Sequence, residues 1–189
     1  MRQSKQFRRL AAVLALSGIA ILLARPAAEA ALCVWRKPDQ DIKRFFPGAD
    51  TYETEYKRPG SRRAAIEQRI GARLDADESE FKFYRILDDG KRVGTILTHL
   101  GKGQYGAIEV VVAVDNAGKV KGVGIQRDRE RARQALRGKA FLDQFEGKRA
   151  TDPITIGRDI EPAAKGAEKS SHTVAFSVKK LLVLLDELG

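Results

Sequence analysis

The residues with the clearest chemical potential lie between Lys165 and Ser171, where a loop of small and charged residues runs into a periodic apolar segment. Apolar residues recur in that segment at three- and four-residue spacing, which predicts one buried face of an α-helix. The face comprises Val174, Val178, Leu181, Leu182 and Leu185. We expect the helix to begin near Ser170 or Ser171, because either hydroxyl can cap a first turn. Free amides and the helix dipole make such a start attractive to an anion such as phosphate.

This stretch resembles the motif of the FMN-binding domain family. The family occurs in flavin subunits of the sodium-pumping NADH:quinone reductase and Rnf complexes, and in membrane regulators with an extracytoplasmic flavin domain. Its motif is Gly-x-Asp-Ile, followed by Ser-Gly-Ala-Thr-x-Ser-Ser-x-x-Val with a second valine four residues on. Residues 157–160 match the first part. The positions that match the second part without a gap are Gly166, Ala167, Ser170, Ser171, Val174 and Val178.

The sequence departs from the family at the flavin anchor. Glu168 stands where the family has the threonine whose hydroxyl is joined to the FMN phosphate, and Lys165 stands where it has serine. Because a glutamate cannot form that phosphoester, the resemblance implies noncovalent FMN. The cofactor-binding residues that it implies here are Gly166, Ala167, Glu168, Ser170 and Ser171. A second register would make Thr173 the anchor, one turn inside the helix.

The Glu168 carboxylate leaves two interpretations open. It would repel a phosphate at the helix start and could itself accept from the free amides, which describes a site without flavin. The cations Arg158, Lys165 and Lys169 lie beside the loop and could offset it, which favours noncovalent FMN.

A second stretch of interest runs from Arg127 to Gly138 and is densely charged. Its alternating signs predict an exposed helix with many ion pairs. Related domains carry here a Glu-Thr-Pro-Gly or Arg-Glu-Ser element that approaches the isoalloxazine ring. Since Arg129 and Glu130 retain the Arg-Glu half, the resemblance adds both to the predicted cofactor-binding residues.

The remaining patterns predict an α+β domain like the FMN-binding domains, with a twisted, mostly antiparallel sheet over residues 81–126 and packed helices. Strand 108–114 is apolar on both sides and should be central, and the glycines of 101–106 are interpreted as turn residues. The predicted helices are 38–46, 62–74 and a short one at 141–147, and the predicted strands are 81–87, 93–100, 108–114 and 120–125.

The N-terminus carries a basic start, an apolar run over residues 10–24 and small residues at 28–30. This order predicts a signal peptide cleaved after Ala30, or else an uncleaved membrane anchor. Residues 31–189 then form a single domain, and we expect it in the periplasm or on the extracytoplasmic face of the membrane.

Composition excludes several classes of protein. Cys33 is the only cysteine and His99 and His172 are the only histidines, which excludes an internal disulfide, c-type haem and cysteine-rich metal sites. No paired carboxylates or Ser-His-acid arrangement indicates a catalytic residue. The net charge of +10 falls to +6 once five basic residues and one acidic residue of 1–30 are removed. This charge favours an acidic partner protein or an anionic membrane surface, and export argues against nucleic acid.

These observations predict an exported FMN-binding protein that takes part in electron transfer at the membrane. Its expected partner is a membrane redox protein or respiratory complex, so we expect an electron-transfer component and not a stand-alone catalyst. The alternative is a flavin-free binding or assembly module of the same fold.

Overall fold

A computed structural model describes residues 38–189, and the predicted signal segment lies outside them. The elements in chain order are α1 (Asp39–Phe45), β1 (Thr51–Lys57), α2 (Arg63–Ile70), β2 (Phe81–Asp88), β3 (Lys91–Lys102), β4 (Ala107–Asp115), β5 (Val120–Arg127), α3 (Arg133–Leu136), α4 (Lys139–Leu142) and α5 (Glu168–Leu188). Short 3₁₀ turns precede α2 at Gly60–Arg62 and follow α4 at Asp143–Phe145. The predicted α+β class is confirmed.

The sheet is an antiparallel meander in the order β1-β2-β3-β4-β5. The predicted hairpin turn is confirmed, because Asp89 and Gly90 both take positive φ, as a two-residue hairpin of this kind requires. Strand β1 was missed, since its mixture of tyrosine, threonine and charge has no continuous apolar run. Its addition makes β3 the middle strand, and β4, which was expected to be central, lies between β3 and β5. β4 is an interior strand buried on both faces.

Two hydrophobic clusters lie on opposite faces of the sheet. The inner face packs against α5 and α2 in the larger cluster, and the predicted apolar face of α5 is buried there. The outer face packs against α1, where Phe45 and Phe46 contact the sheet. Gly122 permits this approach, because a Cβ atom built on it would lie 2.5 Å from Phe45 Cε1.

The other predicted helices are present with different ends. α2 ends before Gly71, which takes the left-handed conformation at φ 67°, so the helix is shorter than the predicted 62–74. The segment 141–147 is a short helix and a 3₁₀ turn that stop at Gly147, as expected. Over residues 38–189, no helix has both the length and the hydropathy to cross a bilayer.

Candidate functional site

Three segments that are distant in sequence meet at the end of the sheet where β3 turns into β4. They are the β3–β4 loop, the segment after β5 and the loop that leads into α5. Between them lies a cleft of about 280 Å³. Its lining comprises Gln104, Tyr105, Glu130, Arg131, Ala132, Lys165, Gly166, Ala167 and Ser170. The fold therefore brings four of the predicted cofactor-binding residues together: Glu130, Gly166, Ala167 and Ser170.

Helix α5 begins at Glu168, two residues before the predicted start. Ala167 occupies the N-cap position, and no side chain caps the helix, so the expectation that Ser170 or Ser171 is a cap is wrong. The first helical hydrogen bond runs from the amide of Ser171 to the carbonyl of Ala167. The amides of Glu168, Lys169 and Ser170 consequently have no helical acceptor.

Ser171 lies behind the cleft. Its side chain is fully buried, and its hydroxyl donates to Ala167 O at 2.8 Å while accepting from the amide of Ala163 at 3.0 Å. Because both contacts are internal, this hydroxyl ties the incoming loop to the first turn of α5. Ser171 therefore supports the loop and does not line the cleft.

Glu130 joins the three segments in the cleft floor. Its side chain is 4% exposed. One carboxylate oxygen accepts from the hydroxyl of Ser170, which is also buried, and the other accepts from the amide of Tyr105 at 3.0 Å. Gly103 allows the close approach, since a Cβ atom there would lie 2.3 Å from Glu130 Oε1. The hydroxyl of Ser170 is therefore already engaged by a protein carboxylate.

The prediction of an exposed helix from Arg127 to Gly138 is wrong. Only Arg133–Leu136 is helical, and Asp128 and Glu130 are buried. Asp128 accepts from the amide of Glu130 at 3.0 Å and from the Arg137 guanidinium at 2.7 Å. These carboxylates turn inward because they satisfy backbone amides and a buried hydroxyl, which alternating charge in a sequence does not reveal.

Glu168 and Arg129 flank the cleft without lining it. Glu168 is exposed, and its Oε1 accepts from the amide of Gly166 at 3.0 Å. Hydrogen bonds from the Gly166 amide and from its own amide hold the pKa of Glu168 below the ordinary value, with a further contribution from Lys165. Arg129 is exposed and lies along the β3–β4 loop, where a Cβ atom on Gly106 would be 3.4 Å from its Cβ.

Tyr105 and Arg131 are cleft residues that sequence reasoning missed. The Arg131 guanidinium lies 4.6 Å from the centroid of the Tyr105 ring, and Tyr105 is 43% exposed. The signal available in the sequence was an aromatic residue inside the glycine-rich loop Gly103–Gly106. Together with Lys165, these side chains give the cleft an aromatic wall and two cations.

Thr173, the alternative anchor, lies in the second turn of α5. Its hydroxyl is within hydrogen-bond distance of Lys102 O, at 2.9 Å, and of Lys169 O, at 3.1 Å. Gly101 is a β3 residue and not a turn residue as expected, and a Cβ atom on it would lie 2.6 Å from Thr173 Cγ2. Thr173 is therefore packed against β3 and is absent from the cleft lining.

A polar network between β3 and α5 surrounds His99, whose side chain is 12% exposed. His99 Nδ1 lies 2.9 Å from Ser177 Oγ, and the Lys180 ammonium lies 3.1 Å from His99 Nε2. Lys180 also bonds to Glu78, which reaches in from the segment after α2. The other histidine, His172, is exposed in the first turns of α5.

Comparisons with known proteins do not assign this chain to a family. No family model matches the chain, and no curated protein matches it. Among solved structures, the chain is similar to a crystal structure of NqrC from Shewanella oneidensis, with 14% sequence identity and a TM-score of 0.47. The similarity covers 77% of this chain and 82% of that chain. A likeness at this level leaves the functional assignment to the residues of the cleft and their motif.

Proposed function

We propose that this chain is an exported FMN-binding protein that takes part in electron transfer at the membrane. The observation that carries the proposal is the cleft, which places the motif residues Gly166 and Ala167 beside an aromatic residue and two cations. The resemblance of residues 157–178 to the motif of the FMN-binding domains favours FMN as the cofactor. The fold supports it by bringing Glu130, from the Arg-Glu element that follows β5, into the lining of the same cleft.

The residues present fit a phosphorylated aromatic cofactor in part. Lys165 and Arg131 supply positive charge, and the first-turn amides of α5 can donate to a phosphate. Tyr105 supplies a ring face for stacking. The volume of about 280 Å³ lies near the lower limit of ligand pockets. We infer that Lys165, Arg131 and the first-turn amides would hold the phosphate and that Tyr105 would lie against the ring system.

Binding is proposed to be noncovalent. Glu168 has no hydroxyl with which to form the phosphoester, and the hydroxyl of Thr173 lies against β3, outside the cleft lining. Ser170 is in the lining, but its hydroxyl donates to Glu130. The cleft therefore offers cations and amides for a phosphate and no free hydroxyl at the anchor position.

Bound FMN would supply one-electron and two-electron transfer, which no side chain of the cleft can provide. The chain's own residues would bind and orient it: Lys165 and Arg131 would hold the phosphate and Tyr105 would flank the ring, while Glu130 keeps the three segments in place. We therefore propose an electron-transfer component whose partner is a membrane redox protein or respiratory complex outside the cytoplasm.

A specific contact favours a second candidate function. The Glu168 carboxylate already accepts from the Gly166 amide at 3.0 Å, and it places negative charge beside the proposed phosphate position. A protein that has exchanged the anchor threonine for this contact could have kept the fold as a flavin-free binding or assembly module.

The visible absorption spectrum of the purified protein with added FMN, before and after acid precipitation, tests the proposal. We expect flavin absorption that is released into the supernatant by acid. A colourless protein that ignores FMN would favour the assembly module, and colour that stays with the pellet would indicate a covalent anchor at Thr173. The matched variants are Lys165→Glu, which should weaken FMN binding, and Lys139→Glu, an exposed cation outside the cleft lining, which should not.

A further inference from the structure

Helix α1 covers only part of the outer face of the sheet. Phe46 lies against Gly94 and Phe45 lies against Gly122, near the end of the sheet where β3 starts. At the opposite end, Tyr56 is 59% exposed and Leu100 is 48% exposed. We call this region the outer-end patch. It consists of Tyr56, Lys82, Leu100, Lys102 and Arg127.

Strand register places the patch residues on one face. Tyr56 pairs directly with Lys82, whose ammonium lies 5.4 Å from the Tyr56 ring centroid. Leu100 pairs with Glu109, and Glu109 pairs with Arg127. Directly paired residues in an antiparallel sheet point to the same side, so Tyr56 shares a face with Lys82, and Leu100 shares a face with Glu109. The register shifts between Glu109 and Val110, and Arg127 belongs to the patch through its ion pair with Glu109.

The two rows face the same way as α1. Tyr84 pairs with Ile96 and both belong to the outer cluster, and Lys82 and Leu100 are two and four residues away along their strands. When the Tyr84–Ile96 pairing is extended by two residues, Lys82 lies opposite Thr98, which is two residues from Leu100. The row that contains Tyr56 and Lys82 is therefore about 7 Å from the row that contains Leu100 and Glu109, measured along the strands. Gly101 faces α5, so its neighbour Lys102 faces outward.

Exposed apolar side chains are concentrated at this end. In residues 38–189, the large hydrophobic side chains that are exposed are Tyr56, Leu100 and Tyr105. The third lies in the β3–β4 loop, directly beyond the patch. Single exposed apolar residues need no explanation, but their concentration at one end of the sheet draws attention to that end.

The patch is positive toward solvent. Among the described residues, no carboxylate oxygen lies within 4 Å of the Lys82 or Lys102 ammonium group. The patch also contains the Glu109 carboxylate, but this residue is 7% exposed and lies 3.3 Å from the Arg127 guanidinium. The neighbouring Glu80 is paired with Arg58 at 3.0 Å. An anionic partner therefore meets two ammonium groups that have no carboxylate partner among the described residues, beside exposed apolar side chains.

We propose that the outer-end patch docks on an anionic phospholipid surface. Tyr56 and Leu100 enter the headgroup region, while the lysines contact lipid phosphates. A lipid surface is favoured over an acidic protein because the patch combines ammonium groups with an exposed tyrosine and leucine, which suit the phosphates and the acyl boundary of the headgroup region. The proposal requires no flavin, so it stands or falls separately from the proposed function.

Cosedimentation with vesicles tests the proposal. The protein is residues 38–189, a compact unit that contains both hydrophobic clusters and all five strands. The probes are vesicles of phosphatidylcholine alone and of equimolar phosphatidylcholine and phosphatidylglycerol. We expect binding to the anionic vesicles only, and weaker binding at high salt.

Matched variants separate the patch from overall charge. Lys82→Gln should weaken binding about fivefold, because each basic residue near an anionic surface contributes about that factor. Lys139→Gln makes the same charge change at an exposed position outside the patch and should leave binding unchanged. Leu100→Ser and Tyr56→Ser should also weaken binding. Both side chains are about half exposed, and a circular dichroism melt confirms that the variants fold.

Three results would overturn the proposal. Equal loss in Lys82→Gln and Lys139→Gln would mean that net charge alone binds the lipid. Failure to bind anionic vesicles together with binding to polyglutamate would point to an acidic protein partner. Self-association that Leu100→Ser abolishes would show that a second copy of the chain covers the patch.

Discussion

Ser170 donates its hydroxyl hydrogen to the carboxylate of Glu130, forty residues earlier in the chain, and both side chains are buried in the floor of the cleft. This contact gives the motif serine a structural partner and removes its hydroxyl from the groups available to a phosphate. Through its second oxygen, Glu130 also accepts from the Tyr105 amide. One carboxylate therefore sets the relative positions of the three cleft segments.

We expect Glu130→Ala to lower the free energy of unfolding by about 2 kcal/mol, because it leaves a buried hydroxyl and a buried amide without acceptors. Glu130→Gln should cost clearly less, since the amide oxygen can still accept one bond and the Ser170 hydroxyl can rotate to accept the other. Urea denaturation measures both. Arg129→Ala, at the exposed neighbouring position, is the control and should change stability little. An equal decrease in the free energy of unfolding for Glu130→Ala and Glu130→Gln would contradict the conclusion that hydrogen bonds to Glu130 hold the cleft segments together.

Glu168 should control how FMN is held. Glu168→Gln removes the negative charge beside the proposed phosphate position and should tighten noncovalent FMN binding about fivefold. Glu168→Thr restores the hydroxyl of the family motif, and with a flavin transferase present it should give covalent FMN that stays with the acid-precipitated protein. Glu161→Gln, an exposed carboxylate outside the cleft lining, serves as the charge control. Failure of Glu168→Thr to become flavinylated would indicate a remodelled pocket.

Glu78 should make stability fall in acid. Burial acts to raise its pKa, but the nearby His99, the Lys180 ammonium and the amide of Asp75 outweigh burial and lower the pKa from 4.5 to about 2. Because the folded-state pKa is depressed, the stabilisation is fully present above pH 4.5 and is lost as the pH falls toward 2. After allowance for solvent screening, we expect a loss of about 1–2 kcal/mol. Denaturation across this pH range should show a flatter profile for Glu78→Gln than for the unaltered protein.

Removal of the Lys180 ammonium group alone should destabilise the protein. Its side chain is 3% exposed and bonds to Glu78, so Lys180→Met leaves a carboxylate in a largely buried place without its cation. The expected cost is about 3 kcal/mol in the free energy of unfolding. The double variant Lys180→Met with Glu78→Gln should recover much of that loss, because no uncompensated charge remains. Additive losses in this double-mutant cycle would show that the two side chains are not coupled.

Local patterns were sufficient for the elements whose signal is contained in a few consecutive residues. The spacing of Val174, Val178 and Leu181 determined the buried face of α5, and Asp89-Gly90 determined the hairpin turn, because helix period and turn conformation depend on adjacent residues. Strand β1 was missed because its partner, β2, begins 24 residues after β1 ends, and pairing stabilises it more than its own composition does.

The site depended on the tertiary structure. The sequence nominated Gly166, Ala167 and Ser170 through their motif, and the fold placed them in one cleft with Glu130. It also brought Tyr105 and Arg131 there and turned Asp128 and Glu130 inward from a stretch that looked solvent-exposed. A charged residue's exposure depends on which distant amide or hydroxyl the fold brings within 3 Å, and the sequence alone contains no record of that distance.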